Sequence, residues 1–106
     1  MKYIYLFLAI FFEVSGTLLL PASQSFTKIV PTILLIIFYV IAFYFLTVTI
    51  KYIPLSIVYA SWTGLGVFFV TLLSYYFYKE KLNIEIIIGL VFIVIGVIII
   101  NYFKSI

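Results

Sequence analysis

The sequence predicts an all-α membrane protein with four transmembrane helices, and three observations predict it. Of its 106 residues, 68% are apolar or aromatic and only 8% are charged, against about half and about a quarter in ordinary soluble domains; the mean hydropathy is +1.44. Lysines and turn residues divide the chain into four apolar runs, each close to the roughly 20 helical residues needed to cross a hydrocarbon core about 30 Å thick. These runs are apolar on every face, whereas the strands of a closed barrel alternate apolar and polar residues.

The first span covers residues 3–20. Lys2 ahead of it and Leu20-Pro21-Ala22 at its end imitate a secretory signal with a cleavage site, but Glu13 interrupts the apolar run and three further spans follow. A connection from Pro21 to Val30 leads to the second span, 31–50. Lys51-Tyr52-Ile53 then leads to the third, 54–78. Pro31 and Pro54 suit the first turn of a helix, where a missing N–H costs nothing. Lys79-Glu80-Lys81-Leu82-Asn83 leads to the fourth span, 84–103, with Asn83 as its cap and Glu85 near its positive end. No connection is long enough for a domain outside the membrane, so residues 1–106 form a single four-helix unit.

Charge and composition exclude much else. Without Cys or His the chain has no disulfide framework, thiolate nucleophile, imidazole base or ordinary transition-metal site, so an enzyme is not expected, nor is a metal or organic cofactor. Six separated lysines make no basic stripe for nucleic acid. The same lysines decide orientation through the short loops. Lys2, Lys51 and Lys104 lie on one side and Lys28, Lys79 and Lys81 on the other. This balance predicts dual topology, with copies of opposite sense pairing antiparallel; the alternative is a further bias that selects one orientation.

Four packed helices fill their own middle with side chains, so a transport path needs two copies. Small residues mark seams of close helix approach, between subunits or within one. Ser56, Ala60 and Gly64 recur every fourth position on the third span, while Gly89 and Gly96 lie one heptad apart on the fourth and are the candidate dimer interface. Gly64-Leu65-Gly66 is a point where the third helix can bend.

Glu13 lies about 15 Å along a helix beginning at Tyr3, too deep to reach either interface. Insertion scales charge about 2.5–3.5 kcal/mol for the related Asp at a helix centre, and no basic residue within a span offsets it. Glu13 therefore binds a proton or faces water and a cationic ligand. Burial disfavours the ionised form, and a second Glu13 from a paired subunit adds to that, making a coupled pair. The alternative is a permanently protonated Glu13 that gives one interhelical hydrogen bond. Intramembrane acids are usually functional. Ala9, Gly16 and Thr17 lie three or four positions from Glu13; they leave room beside the carboxylate, and Thr17 adds a hydroxyl. Tyr59 with Trp62, and Tyr39 with Phe43, share helix faces and offer aromatic surfaces to an organic cation. The other aromatic residues are expected against lipid.

With these residues in view, the chain resembles the small multidrug resistance family over nearly its whole length. The matching blocks are Ala9, Glu13, Gly16 and Thr17, and then Pro54, Tyr59, Ala60, Trp62, Gly64 and Gly66. Further matches are Phe26-Thr27 before Pro31, Ala42-Phe43-Tyr44, Lys79-Glu80, Gly89, Gly96 and Asn101. The resemblance implies an antiparallel dimer in the inner (plasma) membrane of a bacterium that exchanges protons, as coupling ion, for small cationic compounds, with Glu13 binding both in turn.

Gly16-Thr17 after the acid looks like the quaternary-ammonium branch. The guanidinium-exporting branch typically carries a Trp where this chain has Ser15-Gly16. The family usually ends its first helix with Lys and a Ser-x-Gly-Phe-like turn, whereas this chain has Pro21-Ala22-Ser23-Gln24-Ser25-Phe26. That departure keeps open a polyamine, guanidinium compound or lipid-linked headgroup as cargo, and a heterodimer with a paired family member in place of a homodimer. A non-transporting membrane subunit is the third reading.

Overall fold

The computed structural model describes residues 2–103, with the backbone alone for Lys2; Lys104, counted in the charge balance above, lies outside them. Five helices follow in order: α1 (Lys2–Leu18), α2 (Leu20–Ser23), α3 (Ile29–Thr49), α4 (Leu55–Tyr78) and α5 (Ile84–Tyr102). Four stretches are long and apolar enough to span a membrane: Tyr3–Ser23, Ile29–Thr49, Leu55–Tyr78 and Ile84–Tyr102. The described residues are all helix and connection, without strands.

The first stretch is broken where the sequence predicts a continuous helix to residue 20. Proline has no N–H to give the carbonyl four residues back, and its ring collides with that carbonyl in a regular helix. Pro21 accordingly ends α1 at Leu18. The Leu19 amide turns back to Gly16 O at 3.0 Å, and Pro21 enters the first turn of α2, where it is tolerated. The Leu18 carbonyl, released from the ladder, accepts a hydrogen bond from the Tyr78 hydroxyl at the end of α4.

The expected loop from Pro21 to Val30 is correspondingly shorter. After α2 come three residues in left-handed conformation, Gln24, Ser25 and Phe26, with φ of 47°, 61° and 68°. Buried Ser23 organises this turn: its carbonyl accepts from the Thr27 and Lys28 amides at 2.9 and 3.0 Å, and its hydroxyl accepts from the Phe26 amide at 3.3 Å. α3 starts two residues ahead of Pro31, which still falls in the first turn. Pro54 is the N-cap of α4, not its first helical residue. At α5 the Asn83 side chain accepts from the Ile86 amide at 2.9 Å, with Glu85 in the first turn.

α1 is the middle of the assembly, packed against α3 on one side and α4 on another, while α5 lies against α4. The resulting body is flat, 45 × 35 × 18 Å. Leu6, Ile10 and Val14 recur every fourth residue on α1 and form a buried cluster with Ile53, Ile57 and Val58. In lipid such packing depends on fit, since the surroundings are as apolar as the core. Small residues let the helices approach: Ala9 and Ala42 are fully buried, and a Cβ on Gly16 would stand 3.0 Å from the Tyr39 ring.

Two further features organise the slab. Tyr52, Tyr5, Phe45, Phe12 and Phe38 form a continuous aromatic ladder with ring centroids 5.9–6.4 Å apart, so these aromatics hold helices together in addition to meeting lipid. At the far side, Asn101 Nδ2 donates to Ser61 Oγ at 2.7 Å and to the Val97 carbonyl at 2.9 Å, and the Tyr3 hydroxyl donates to Asn101 Oδ1 at 3.4 Å. This polar node joins α1, α4 and α5.

Candidate functional site

α1 carries Glu13 on the side that faces the gap between α3 and α4. The carboxylate is held from two directions. Thr17, one turn along α1, donates to Oε2 at 2.6 Å. Gly66 of α4 stands against Oε1, so close that a Cβ there would lie 2.7 Å from it. With glycine at 66, the α4 backbone meets the carboxylate with no Cβ between them.

The Thr17 hydroxyl also lies 2.8 Å from the Tyr39 hydroxyl on α3. Thr17 has one proton. While it is given to the carboxylate, the second contact requires Tyr39 to donate to Thr17. The result is a directed chain, Tyr39 to Thr17 to Glu13, that links α3 to the acid on α1.

Two clefts meet at the carboxylate. One, of about 280 Å³, is bordered by Glu13, Thr17, Trp62, Thr63, Gly66 and Thr71 among others. The other, of about 250 Å³, is bordered by Glu13, Tyr39, Ala42, Phe43 and Trp62. Trp62 belongs to both. Its ring meets Phe43 edge-on at 5.7 Å and Tyr59 at 5.9 Å between centroids, and its indole N–H is buried without a hydrogen-bond partner among the described residues. A half-buried acid between aromatic walls can hold one positive charge at a time: a proton on the oxygen, or an organic cation whose apolar groups lie on the rings. Among the described residues, no group of three acidic, His or Cys side chains is assembled for a metal ion.

The structure thus gathers Glu13, Thr17, Tyr39, Phe43 and Trp62 at one place. Tyr59 stands one step away: it touches Trp62 but borders an adjoining hollow with Phe43 and Leu46. Ala9 is fully buried in helix packing and leaves no surface for a ligand. Gly16 is taken up by Tyr39, and Gly64 faces α5, where a Cβ would lie 2.6 Å from Val97 Cγ2. α4 runs unbroken through Gly64 and Gly66. At Gly89 and Gly96 a Cβ would meet nothing within 4 Å among the described residues. Sequence reasoning missed Ala42, Thr63, Val67, Val70 and Thr71 as wall residues. The signal was there in the fourth-residue rows Trp62-Gly66-Val70 and Thr63-Val67-Thr71, which share one face of α4.

Comparison with known proteins identifies the family. The family model described as Small Multidrug Resistance protein matches residues 1–93. Quaternary ammonium compound-resistance protein QacH of Staphylococcus saprophyticus is 45% identical over 105 residues, covering 99% of this chain and 98% of its own. QacC of Staphylococcus aureus is 43% identical with the same coverage. Multidrug transporter EmrE of Escherichia coli is 44% identical over 99 residues, covering 93% and 90%. The chain belongs to the small multidrug resistance family, and it is a multi-pass membrane protein.

Proposed function

We propose that this small multidrug resistance protein is a proton-coupled antiporter that exports hydrophobic organic cations, quaternary ammonium compounds among them, across the bacterial inner membrane as an antiparallel dimer. One observation carries the reading: Glu13 lies in a membrane span without a cationic partner in any span, hydrogen-bonded to Thr17 and bordering aromatic clefts with Trp62, Tyr39 and Phe43. The names of QacH and EmrE support the cargo class. The balanced lysines support insertion in both senses, and the flat body with its open clefts supports a second copy as the missing wall.

In this mechanism the dimer opens to one side and the ionised carboxylates accept a cation, whose apolar groups pack on Trp62 and Tyr39. The dimer then exchanges its open face, and protons from the other side displace the cation. Coupling arises because proton and cation compete for the same charge site. The test is uptake of a labelled quaternary ammonium into vesicles driven by a pH gradient. Glu13→Gln abolishes this uptake while preserving dimers; coupled transport undiminished in that variant refutes the mechanism.

A further inference from the structure

Two chemically unlike clefts leave Glu13 in opposite directions. α1 and α4 run in the same sense, since Tyr3 meets Ser61 through Asn101 at one end and Leu18 meets Tyr78 at the other. α3 runs against both, with Phe45 beside Tyr5 and Tyr39 beside Thr17. The cleft that Glu13 and Thr17 share with α4 follows Trp62, Gly66 and Thr71 toward the end of α4. The aromatic cleft follows Tyr39 to Phe43, and the hollow adjoining it reaches Ile50 and Leu55, toward the start of α4. Trp62 stands at the fork.

The first cleft suits water. Thr17, Thr63 and Thr71 border it, and Glu13 is its one titratable group. Thr32, Thr47, Thr49 and Thr63 give their hydroxyl protons to carbonyls of the preceding turn, and Thr17 gives its own to Glu13. The Thr71 hydroxyl alone among the helical threonines makes no hydrogen bond with the described residues. It is not sealed in packing either, because among those residues the buried side-chain polar atom without a partner is Trp62 Nε1. A free hydroxyl both accepts and donates, Thr63 keeps lone pairs for accepting, and a carboxylate accepts. These groups surround about 280 Å³, and a water takes about 30 Å³, so several waters fit with polar partners at both ends. Thr71 lies about 7.5 Å past Gly66 along α4, between the carboxylate and the end of the span at Tyr78.

We infer that proton and cation reach Glu13 by different clefts: a file of water in the threonine cleft, with Thr71 as its outer station, carries the proton, and the aromatic cleft carries the cation. The inference rests on Glu13 as the shared charge site. Delivery balances: a proton enters at the outer end, each water receives one and passes one on, and a carboxylate oxygen keeps the last. A quaternary ammonium has no N–H to give the threonines, whereas the faces of Tyr39, Phe43 and Trp62 attract it. Because the two clefts diverge, each membrane face of an antiparallel pair meets the threonine cleft of one copy and the aromatic cleft of the other.

The test uses the full chain in lipid vesicles with labelled benzyltrimethylammonium. Two rates are measured in one preparation: uptake driven by a pH gradient, which needs proton delivery, and exchange of labelled for unlabelled cation at equal pH, which does not. Their ratio cancels any general loss of folding or insertion. Thr71→Val removes the hydroxyl at nearly constant shape and is expected to lower the ratio of driven uptake to exchange about fivefold, the effect of one hydrogen bond on the water file. Driven uptake in this variant also becomes more sensitive to replacement of H2O by D2O, and Thr71→Ser restores both properties. Phe43→Leu instead raises the half-saturating cation concentration in both assays. A ratio and isotope effect unchanged in Thr71→Val overturn the water route. A half-saturating concentration raised as much by Thr71→Val as by Phe43→Leu overturns it too, by placing the cation in the threonine cleft. Either result leaves Glu13 as the charge site, whereas driven uptake persisting in Glu13→Gln overturns the reading of Glu13 itself.

Discussion

Gly66→Ala tests how tightly the carboxylate is held. The added methyl would stand 2.7 Å from Glu13 Oε1, whereas ordinary contact begins at 3.4 Å, so the oxygen must retreat by about 0.7 Å. Glu13 cannot retreat freely, because Oε2 is tied to Thr17 at 2.6 Å. A hydrogen bond to a charged group contributes about 1.5–3 kcal/mol. Losing it disfavours the ionised carboxylate that the cation needs, so cation affinity falls by about 10- to 100-fold. The helix itself gains, since Ala is about 0.5–1 kcal/mol better than Gly inside a helix. The variant is therefore expected to fold and to bind poorly. Trp62 is the only Trp, and its emission during titration with a quaternary ammonium measures the affinity directly. Gly64→Ala supplies the contrast, because its methyl meets Val97 of α5 and not the acid; overpacking there costs about 1–3 kcal/mol of stability. Gly66→Ala binding within twofold of wild type would refute the claim that α4 backs the carboxylate.

Cation affinity is expected to rise with pH, because a proton must leave Glu13 for the cation to enter; where the protonated form dominates, each pH unit lost weakens binding about tenfold per displaced proton. A flat titration over the range in which transport is pH-driven would contradict this. Ser25 has φ of 61°, a conformation that costs a side-chain-bearing residue about 1–2 kcal/mol. After the backbone entropy of glycine is set against that, Ser25→Gly is expected to raise stability by about 0.5–1 kcal/mol, measured as unfolding in detergent. Asn101→Ala removes the donor to Ser61, which is 1% exposed, and is expected to cost about 1–3 kcal/mol in the same assay.

Helix number and approximate limits were legible because hydropathy and lysine placement are local signals that lipid enforces directly. The break after Leu18 is less legible, although its cause is in the sequence: Pro21 reads as the first residue beyond a helix, whereas its ring and missing N–H disturb the ladder four residues back. Glu13, Thr17 and Trp62 were legible because one buried charge organises what surrounds it, and positions four apart share a face. The α4 wall was not, since which face of α4 meets α1 depends on contacts distant in sequence. Gly64 against Val97 and Ser61 against Asn101 set that rotation, and it brings Gly66 and Thr71 to the cleft. Ala9 shows the converse: a small residue near the acid in sequence was taken up by helix packing. Period alone could not separate these roles.

The hydrogen-bond chain at Glu13 adds a constraint on how proton and cation exchange. With the carboxylate ionised, Thr17 donates to it and Tyr39 donates to Thr17, so both hydroxyl protons point toward the negative charge. If Oε2 takes up a proton and gives it to Thr17, the Thr17 proton must turn to Tyr39 for both contacts to survive. The Tyr39 proton is then displaced toward the cleft that Tyr39 shares with Phe43 and Trp62. The aromatic wall would thus offer an acceptor oxygen or a donor proton according to the state of an acid on another helix. Thr17→Val interrupts the relay while keeping the shape of the side chain, whereas Thr17→Ser preserves it. In Thr17→Val the vibrational signature of the Tyr39 hydroxyl should cease to follow the protonation of Glu13; a signature that still follows it would show that the two groups communicate by another route.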